Sequence, residues 1–268
     1  FNMTTSKPRT PRKKLFIYLP ITMAAVFLMA GVWFIYSIFT TIPNPERISE
    51  RSIAQSTKIY DRTGAVVLYE IHGEEKRTVV NFNDIPETVK QAALTAEDIH
   101  FYQHSGIDFK GILRATFINI IRGDISQGGS TITQQLIKNS ILTNERTFTR
   151  KIKEAILSLL IEKRYTKDEI LGLYLNQIPY GSNAYGVGAA AETFFGKQVG
   201  QLTVSEAALI ASLPKAPTYY SPYGKHVEEL YSVKNDILKK MFDLNLISEN
   251  EYKEAVEQEL VFKTSIES

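Results

Sequence analysis

From Leu15 to Phe39 the chain carries no formal charge. As an α-helix this run would rise about 37 Å at about 1.5 Å per residue, enough to cross the hydrocarbon core of a bilayer. It reads as a span rather than a surface-lying segment. Lys7, Arg9, Arg12, Lys13 and Lys14 precede it, and the first charge after it is Glu46. That asymmetry predicts a cytoplasmic amino terminus and an extracytoplasmic remainder. Trp33, Tyr36 and Phe39 fit an aromatic belt at the outer end. A cleaved signal peptide would need a shorter apolar core and a small-residue cleavage site, and neither is evident. Phe1 and Asn2, ahead of Met3, read as additions to the natural start.

The 268 residues are 44% hydrophobic with a net charge of +2, so the chain can bury a substantial core as one large or two small domains. Near-neutrality gives no argument for nucleic acid as a partner. With no cysteine there is no disulfide framework, thiolate chemistry or Cys-based metal site. Of His72, His100, His104 and His226, only His100 and His104 stand at a ligand-like spacing. Glu97 and Asp98 are near them, but no third ligand is apparent at metal-site spacing.

The expected organisation is a basic cytoplasmic tail (1–14), a transmembrane helix (15–39), a linker with a β hairpin (40–83), a mainly α domain (84–262) and a tail (263–268). Pro43 and Pro45 mark the linker. Lys58 to Ile71 reads as two strands around an Asp61-Arg62-Thr63-Gly64 turn, with Thr78-Val79-Val80 as a third. Asp84 is a candidate N-cap, with Pro86 in the first helical turn and Glu87 three residues beyond the cap. Further helices are predicted at about 108–122, 131–142, 147–163, 167–176, 204–212, 226–244 and 248–257. The segment 177–200 is broken by glycines and a proline and reads as loop with short helical pieces.

Three blocks could carry chemistry. Counting about 100° per residue, Glu97 borders the apolar face of its helix near 120°, whereas Asp98 falls near 220°. A carboxylate beside apolar surface loses hydration, which raises its pKa and suits it to proton transfer. A solvated helix end remains the alternative. Gly128-Gly129-Ser130 reads as a tight turn and N-cap, and such a helix terminus welcomes an oxyanion. Thr131, Gln135 and Lys138 follow along one face. In the next helix Phe148, Ile152, Ala155 and Leu159 form one stripe, while Arg150, Lys151 and Glu154 share another, flanked by Arg146 and Lys153. Past Glu154 that side turns apolar through Leu157 and Ile161 and should be more completely buried. The charged face reads either as a surface pair worth a few tenths of a kcal/mol or as a pyrophosphate clamp.

In order and spacing these blocks resemble the peptidoglycan glycosyltransferase family, found as monofunctional transglycosylases and as the amino-terminal module of class A penicillin-binding proteins. The resemblance covers about residues 85–222. It rests on Glu97-Asp98 with Phe101, His104 and Gly106, on Gly128-Gly129-Ser130-Thr131-Ile132-Thr133-Gln134-Gln135 with Lys138-Asn139, and on Arg150-Lys151 with Glu154. Glu169-Ile170-Leu171, Tyr174-Leu175-Asn176, Tyr180-Gly181 and Leu213-Pro214-Lys215-Ala216-Pro217 continue it.

The resemblance implies a lysozyme-like, mainly helical fold with a partly hydrophobic jaw near the bilayer. It implies lipid II, a disaccharide-pentapeptide on undecaprenyl pyrophosphate, as substrate, with the growing glycan strand, moenomycin-type inhibitors and cell-wall assembly proteins as partners at a bacterial cell membrane. Glu97 would be the general base. Lys138, Arg150 and Lys151 would hold the donor pyrophosphate, with Glu154 assisting by positioning a cation, Mg²⁺ or another divalent ion included. Asp98, Ser130, Thr131, Gln135 and Asn139 would contact substrate, and Phe101, His104, Gly106, Gly128 and Gly129 would shape the site. A muramidase or lytic transglycosylase is the alternative on a related scaffold, but it needs no phosphate clamp; a catalytically silent membrane scaffold is a third reading. The hairpin and the ending through Tyr252 and Phe262 also suggest a truncated bifunctional protein. No Ser-x-x-Lys, Ser-x-Asn and Lys-Thr-Gly set is present, so no transpeptidase activity is expected.

Overall fold

The computed structural model describes residues 76–123, 128–142 and 147–263, strand residues 57–60 and 67–71 with residue 62, and a discontinuous set between 22 and 43. The chain divides into two compact units, residues 1–43 and 44–268.

In the first unit the described residues up to Thr40 are helical, and the hydroxyls of Thr40 and Thr41 donate to the Ser37 carbonyl at 3.1 and 2.7 Å. Among the described residues no helix is long and apolar enough to cross a membrane. The basic tail and much of the run from Leu15 to Phe39 lie outside the described residues.

The second unit opens with a hairpin. Strand β1 (Thr57–Tyr60) pairs antiparallel with β2 (Val67–Ile71), Thr57 opposite Ile71, with a bulge between Ile59 and Tyr60. Of the predicted turn only Arg62 is described. The third strand is not Thr78-Val79-Val80. Instead β3 (Lys76–Arg77) runs parallel to β5 (Ala184–Tyr185), which is antiparallel to β4 (Pro179–Gly181). Asn176 accounts for the difference: its side chain accepts from Val80 N at 2.8 Å and donates to Val80 O at 3.0 Å. The amide thus meets the backbone groups that a neighbouring strand would otherwise satisfy.

Helix α1 (Glu87–Glu97) starts after Pro86, which is the N-cap; Asp84 instead belongs to a 3₁₀ turn at Phe82–Asp84. Ile85 is extended, as the residue before a proline tends to be, so the helix cannot reach back to Asp84. The following helices are α2 (Phe109–Arg122), α3 (Ile132–Ser140), α4 (Phe148–Arg164) and α5 (Lys167–Gln177). Then come α6 (Val187–Phe195), α7 (Val204–Ser212), α8 (Val227–Asp243) and α9 (Glu249–Glu257). The described domain is mainly α. The segment 177–200, predicted as loop with short helical pieces, holds β4, β5 and α6. Capping boxes at Thr131, Thr166, Thr203 and Ser248 set four helix starts, each satisfying donors that the first turn leaves open.

Helix α7 is buried from Ser205 to Ser212 and packs on α1 and α8. Ala92 and Ala93 of α1 and Ala207, Ala208 and Ala211 of α7 are all buried, so the two backbones can approach closely. A second cluster joins α3 to α4 and α5 through Ile132, Leu136, Ile137, Leu157, Ile161, Ile170 and Leu171. Each such buried Leu or Ile contributes about 1.5–3 kcal/mol relative to exposure. These clusters anchor the carboxyl end of α1 and the amino end of α3, where the candidate residues converge.

Helix α4 buries Leu157 and Ile161 past Glu154 as expected, but turns part of the other predicted stripe outward. Phe148 and Leu159, from the predicted apolar stripe, are 79% and 42% exposed, whereas Glu154 is buried with Leu157 and Ile161. The face that could have been a solvated charge pair is therefore the inward one. Helix α2 likewise exposes Phe109, Leu113, Phe117, Ile120 and Ile121, each at least 65% accessible. Apolar exposure this contiguous marks a contact surface in a folded protein.

Candidate active site

The end of α1, the start of α2, the 128–131 turn, the end of α7 and one face of α8 enclose a cleft of about 420 Å³. Glu97, Asp98, Gly128, Gly129, Ser130, Thr131 and Gln135 all line it. Two blocks separated by about thirty residues in sequence thus share one wall, because α3 packs its first turn against the chain that leaves α1.

Gln135 Nε2 donates to Glu97 Oε2 at 2.5 Å, fixing the carboxylate from α3. Burial pushes the Glu97 carboxyl above its ordinary 4.5. The Gln135 hydrogen bond and the Lys215 ammonium offset part of that rise, the Asp98 charge adds to it, and Lys138 opposes it more weakly. Tyr174 and Tyr180 lie buried close enough to Glu97 that its charge, after burial itself, raises both phenols. The Tyr174 hydroxyl has no hydrogen-bond partner among the described residues.

Asp98 departs from the helical-wheel expectation. It is the C-cap of α1, outside the helix repeat, and only 8% exposed. Its carboxylate meets His104 Nε2 at 2.9 and 3.0 Å and accepts from Ile132 N at 3.1 Å. Asp98 therefore caps the α3 amino terminus with its negative charge, where the helix dipole favours it. The expected substrate contact is drawn into the protein's own network. His104 is accounted for by the same pair. Among the described residues no group of three or more His, Cys, Asp or Glu is placed to hold a metal ion.

Thr131, not Ser130, is the N-cap of α3, accepting from Gln134 N at 3.2 Å. Its hydroxyl donates to the Gly106 carbonyl at 2.7 Å, so Thr131 too is an internal fastener. Gly106 has φ +85°, and a Cβ there would lie 2.8 Å from the Ser158 carbonyl oxygen. Gly129 abuts Ile112, with only 3.1 Å available to a Cβ, while Gly128 borders open space. Phe101 is fully buried, edge-on to Tyr102 and His104, with Lys167 Nζ 4.2 Å from its ring centroid.

With Thr131 as the cap, the Ser130 hydroxyl is left to accept from Lys151 Nζ at 2.9 Å. Lys151 also pairs with Glu154, whose other oxygen accepts from Arg150 at 3.2 Å. Glu154, 2% exposed, thereby ties two cations of α4 to the turn that opens α3. Lys138 is exposed and Asn139 half-buried on α3, and both stand outside the cleft lining. Arg146 lies outside the described residues.

Several cleft residues escaped sequence reasoning. Lys215 lines the cleft and acts on Glu97, although the sequence marks only its block, Leu213 to Pro217. Arg114, Asp108, Asp236 and Lys240 also line it. Their signal in sequence is weak, since charges on amphipathic helices are ordinarily solvated.

The family model described as Transglycosylase matches residues 64–242. Penicillin-binding protein 1A of Aquifex aeolicus is 45% identical over 251 residues, 94% of this chain and 34% of that protein. Penicillin-binding protein 4 of Bacillus subtilis is 45% identical over 80% of this chain and 34% of its own length. Penicillin-binding protein 1A of Pseudomonas aeruginosa is 40% identical over 87% and 29%. The chain thus spans about a third of the length of the curated relatives it matches. The crystal structure of penicillin-binding protein 1A from Haemophilus influenzae superposes with a TM-score of 0.44 at 27% identity, over 78% of this chain and 21% of that one. The matched pattern and the extent of identity place the chain in the transglycosylase family, the peptidoglycan glycosyltransferases.

Proposed function

We propose that this chain polymerises lipid II into glycan strands, inverting at the anomeric carbon with undecaprenyl pyrophosphate as the leaving group. The observation that carries this reading is one cleft holding a desolvated carboxylate, Glu97, beside a turn that is tied to Lys151, Arg150 and Glu154. Glu97, ionised and held by Gln135, accepts the proton of the acceptor sugar's 4-hydroxyl as that oxygen bonds to the donor's anomeric carbon. The bond to the pyrophosphate oxygen breaks on the opposite face of the sugar, which is the geometry of inversion. Arg150, Lys151 and Lys138 stabilise the charge developing on the leaving group, and preorganised cations do so without reorganisation at the moment of reaction. Ser130, Gln135 and Asn139 contact the donor, and a lysozyme-like arrangement of the helices frames the cleft.

Glu154 does not fit a protein-held Mg²⁺, because both its oxygens are engaged by cations. A divalent ion on this reading arrives with the substrate pyrophosphate, and comparing turnover with and without Mg²⁺ tests it. Residues 15–39 anchor the chain in the bacterial cell membrane with the catalytic domain outside. The exposed apolar faces of α2 and of Phe148 support contact with the lipid surface where the substrate resides. Moenomycin-type inhibitors compete for the donor side, and cell-wall assembly proteins are the partners.

The test is incubation of the purified chain with lipid II and, separately, with purified cell wall. Glycan strands from lipid II with intact wall support polymerisation. Wall digestion without polymer growth supports a muramidase instead.

A further inference from the structure

One wall of the cleft has no role in the reaction described above. Val233, Asp236, Ile237 and Lys240 of α8 line it and recur at i, i+3, i+4 and i+7, so one face of that helix is turned to the cleft. Ile237 is 3% exposed and roots this face in the core, whereas Asp236 and Lys240 are exposed. An aspartate and a lysine four residues apart on a helix commonly pair. Here neither side chain has a hydrogen bond or ion pair among the described residues, in contrast to Lys239 and Asp243 one residue earlier and three later, which pair at 3.3 Å. Arg114 of α2 lines the same cleft, is exposed and likewise lacks a partner among the described residues.

Two cations and one carboxylate without internal partners suit a ligand carrying both signs of charge. A pyrophosphate calls for cations alone, and those stand on α3 and α4. A disaccharide is neutral. The part of a lipid-linked disaccharide-peptide with both carboxylates and an amine is its peptide. Resting on the function proposed above, we infer that Arg114, Asp236 and Lys240 form a subsite for the peptide stem of the lipid-linked substrate, the cations taking carboxylates and Asp236 taking an amine.

The experiment measures polymerisation by the full chain on two substrates, lipid II with its pentapeptide and the lipid-linked disaccharide lacking it. Wild type is compared with Arg114→Ala, Asp236→Asn, Lys240→Ala and the Asp236→Asn/Lys240→Ala double variant. Exposed charge pairs make small contributions, so each single variant should raise KM for the peptide-bearing substrate about two- to five-fold and leave kcat unchanged. KM for the peptide-free substrate should be the same in all proteins, and Lys240→Arg should restore the wild-type KM. Equal KM for both substrates in wild type, variants indistinguishable from wild type, or variants impaired equally on both substrates would each overturn the subsite while leaving the proposed function standing. Failure of wild type to polymerise either substrate would overturn the function and the subsite with it.

Discussion

Replacing Glu154 with glutamine tests whether α4 is a clamp or a decorated surface helix. The change keeps side-chain volume but removes the charge that holds Arg150 and Lys151. Truncating one partner of a fully buried ion pair costs about 3–5 kcal/mol, whereas an exposed pair is worth about 0–1 kcal/mol. Glu154 is 3% exposed at its side chain, Arg150 16% and Lys151 45%, so the cations retain access to water. The intermediate burial places the loss at about 2 kcal/mol, less than the fully buried limit. For a domain of this size that corresponds to a fall in Tm of about 4–8 °C. Thermal unfolding by circular dichroism reads this directly. In parallel, polymerisation of lipid II should lose kcat/KM by more than the fraction unfolded explains, since Lys151 would no longer be held toward Ser130. A variant with wild-type Tm and wild-type turnover refutes the view that Glu154 organises the cations. Raising ionic strength adds a control, because a solvated pair would be screened in wild type while a buried one is affected much less.

Three other outcomes follow from the geometry. Lys215 holds the Glu97 pKa down, so Lys215→Ala should move the acidic limb of the kcat/KM profile to higher pH; an unmoved limb would separate Lys215 from the base. Glu97→Gln should be as stable as wild type at low pH and more stable at neutral pH. The sign follows from linkage: a carboxyl whose folded pKa is raised contributes stability that is complete below its unfolded value near 4.5 and is lost as pH rises through the folded value, a loss glutamine does not undergo. Parallel Tm curves against pH for the two proteins would contradict it. Gly106→Ala forces a side chain onto a positive φ and against the Ser158 carbonyl, and should destabilise by about 1–3 kcal/mol in chemical denaturation.

The helices and the site differed in how much of them could be read in advance. Capping residues such as Thr166, Thr203 and Ser248 announce their helices because the cap and its partner are three residues apart, a purely local relation. The small sheet was not legible, since β3 and β5 are more than a hundred residues apart and Asn176 replaces the strand that Thr78 to Val80 would have formed. Glu97 could be placed at the edge of a buried face from periodicity alone. Asp98 could not, because it leaves the helix repeat and turns to cap α3 from 34 positions away. The burial of Glu154 in α4 has a similar origin. Periodicity puts Leu157 and Ile161 on an inward side, but a charged residue one turn before them reads as solvated; in the fold its carboxylate is buried against Arg150 while Lys151 stays 45% exposed and Phe148 faces outward. Lys215 and the α8 face entered the site through tertiary packing of α7 and α8, which no local spacing encodes.

The central claim is that Glu97 takes the proton from the acceptor hydroxyl. Single-turnover polymerisation of lipid II by Glu97→Gln, at a pH where wild type is fully active and with Tm recorded on the same samples, tests it most directly. The account predicts a folded protein that still binds substrate and forms no glycan. Normal chain growth by that variant would contradict it.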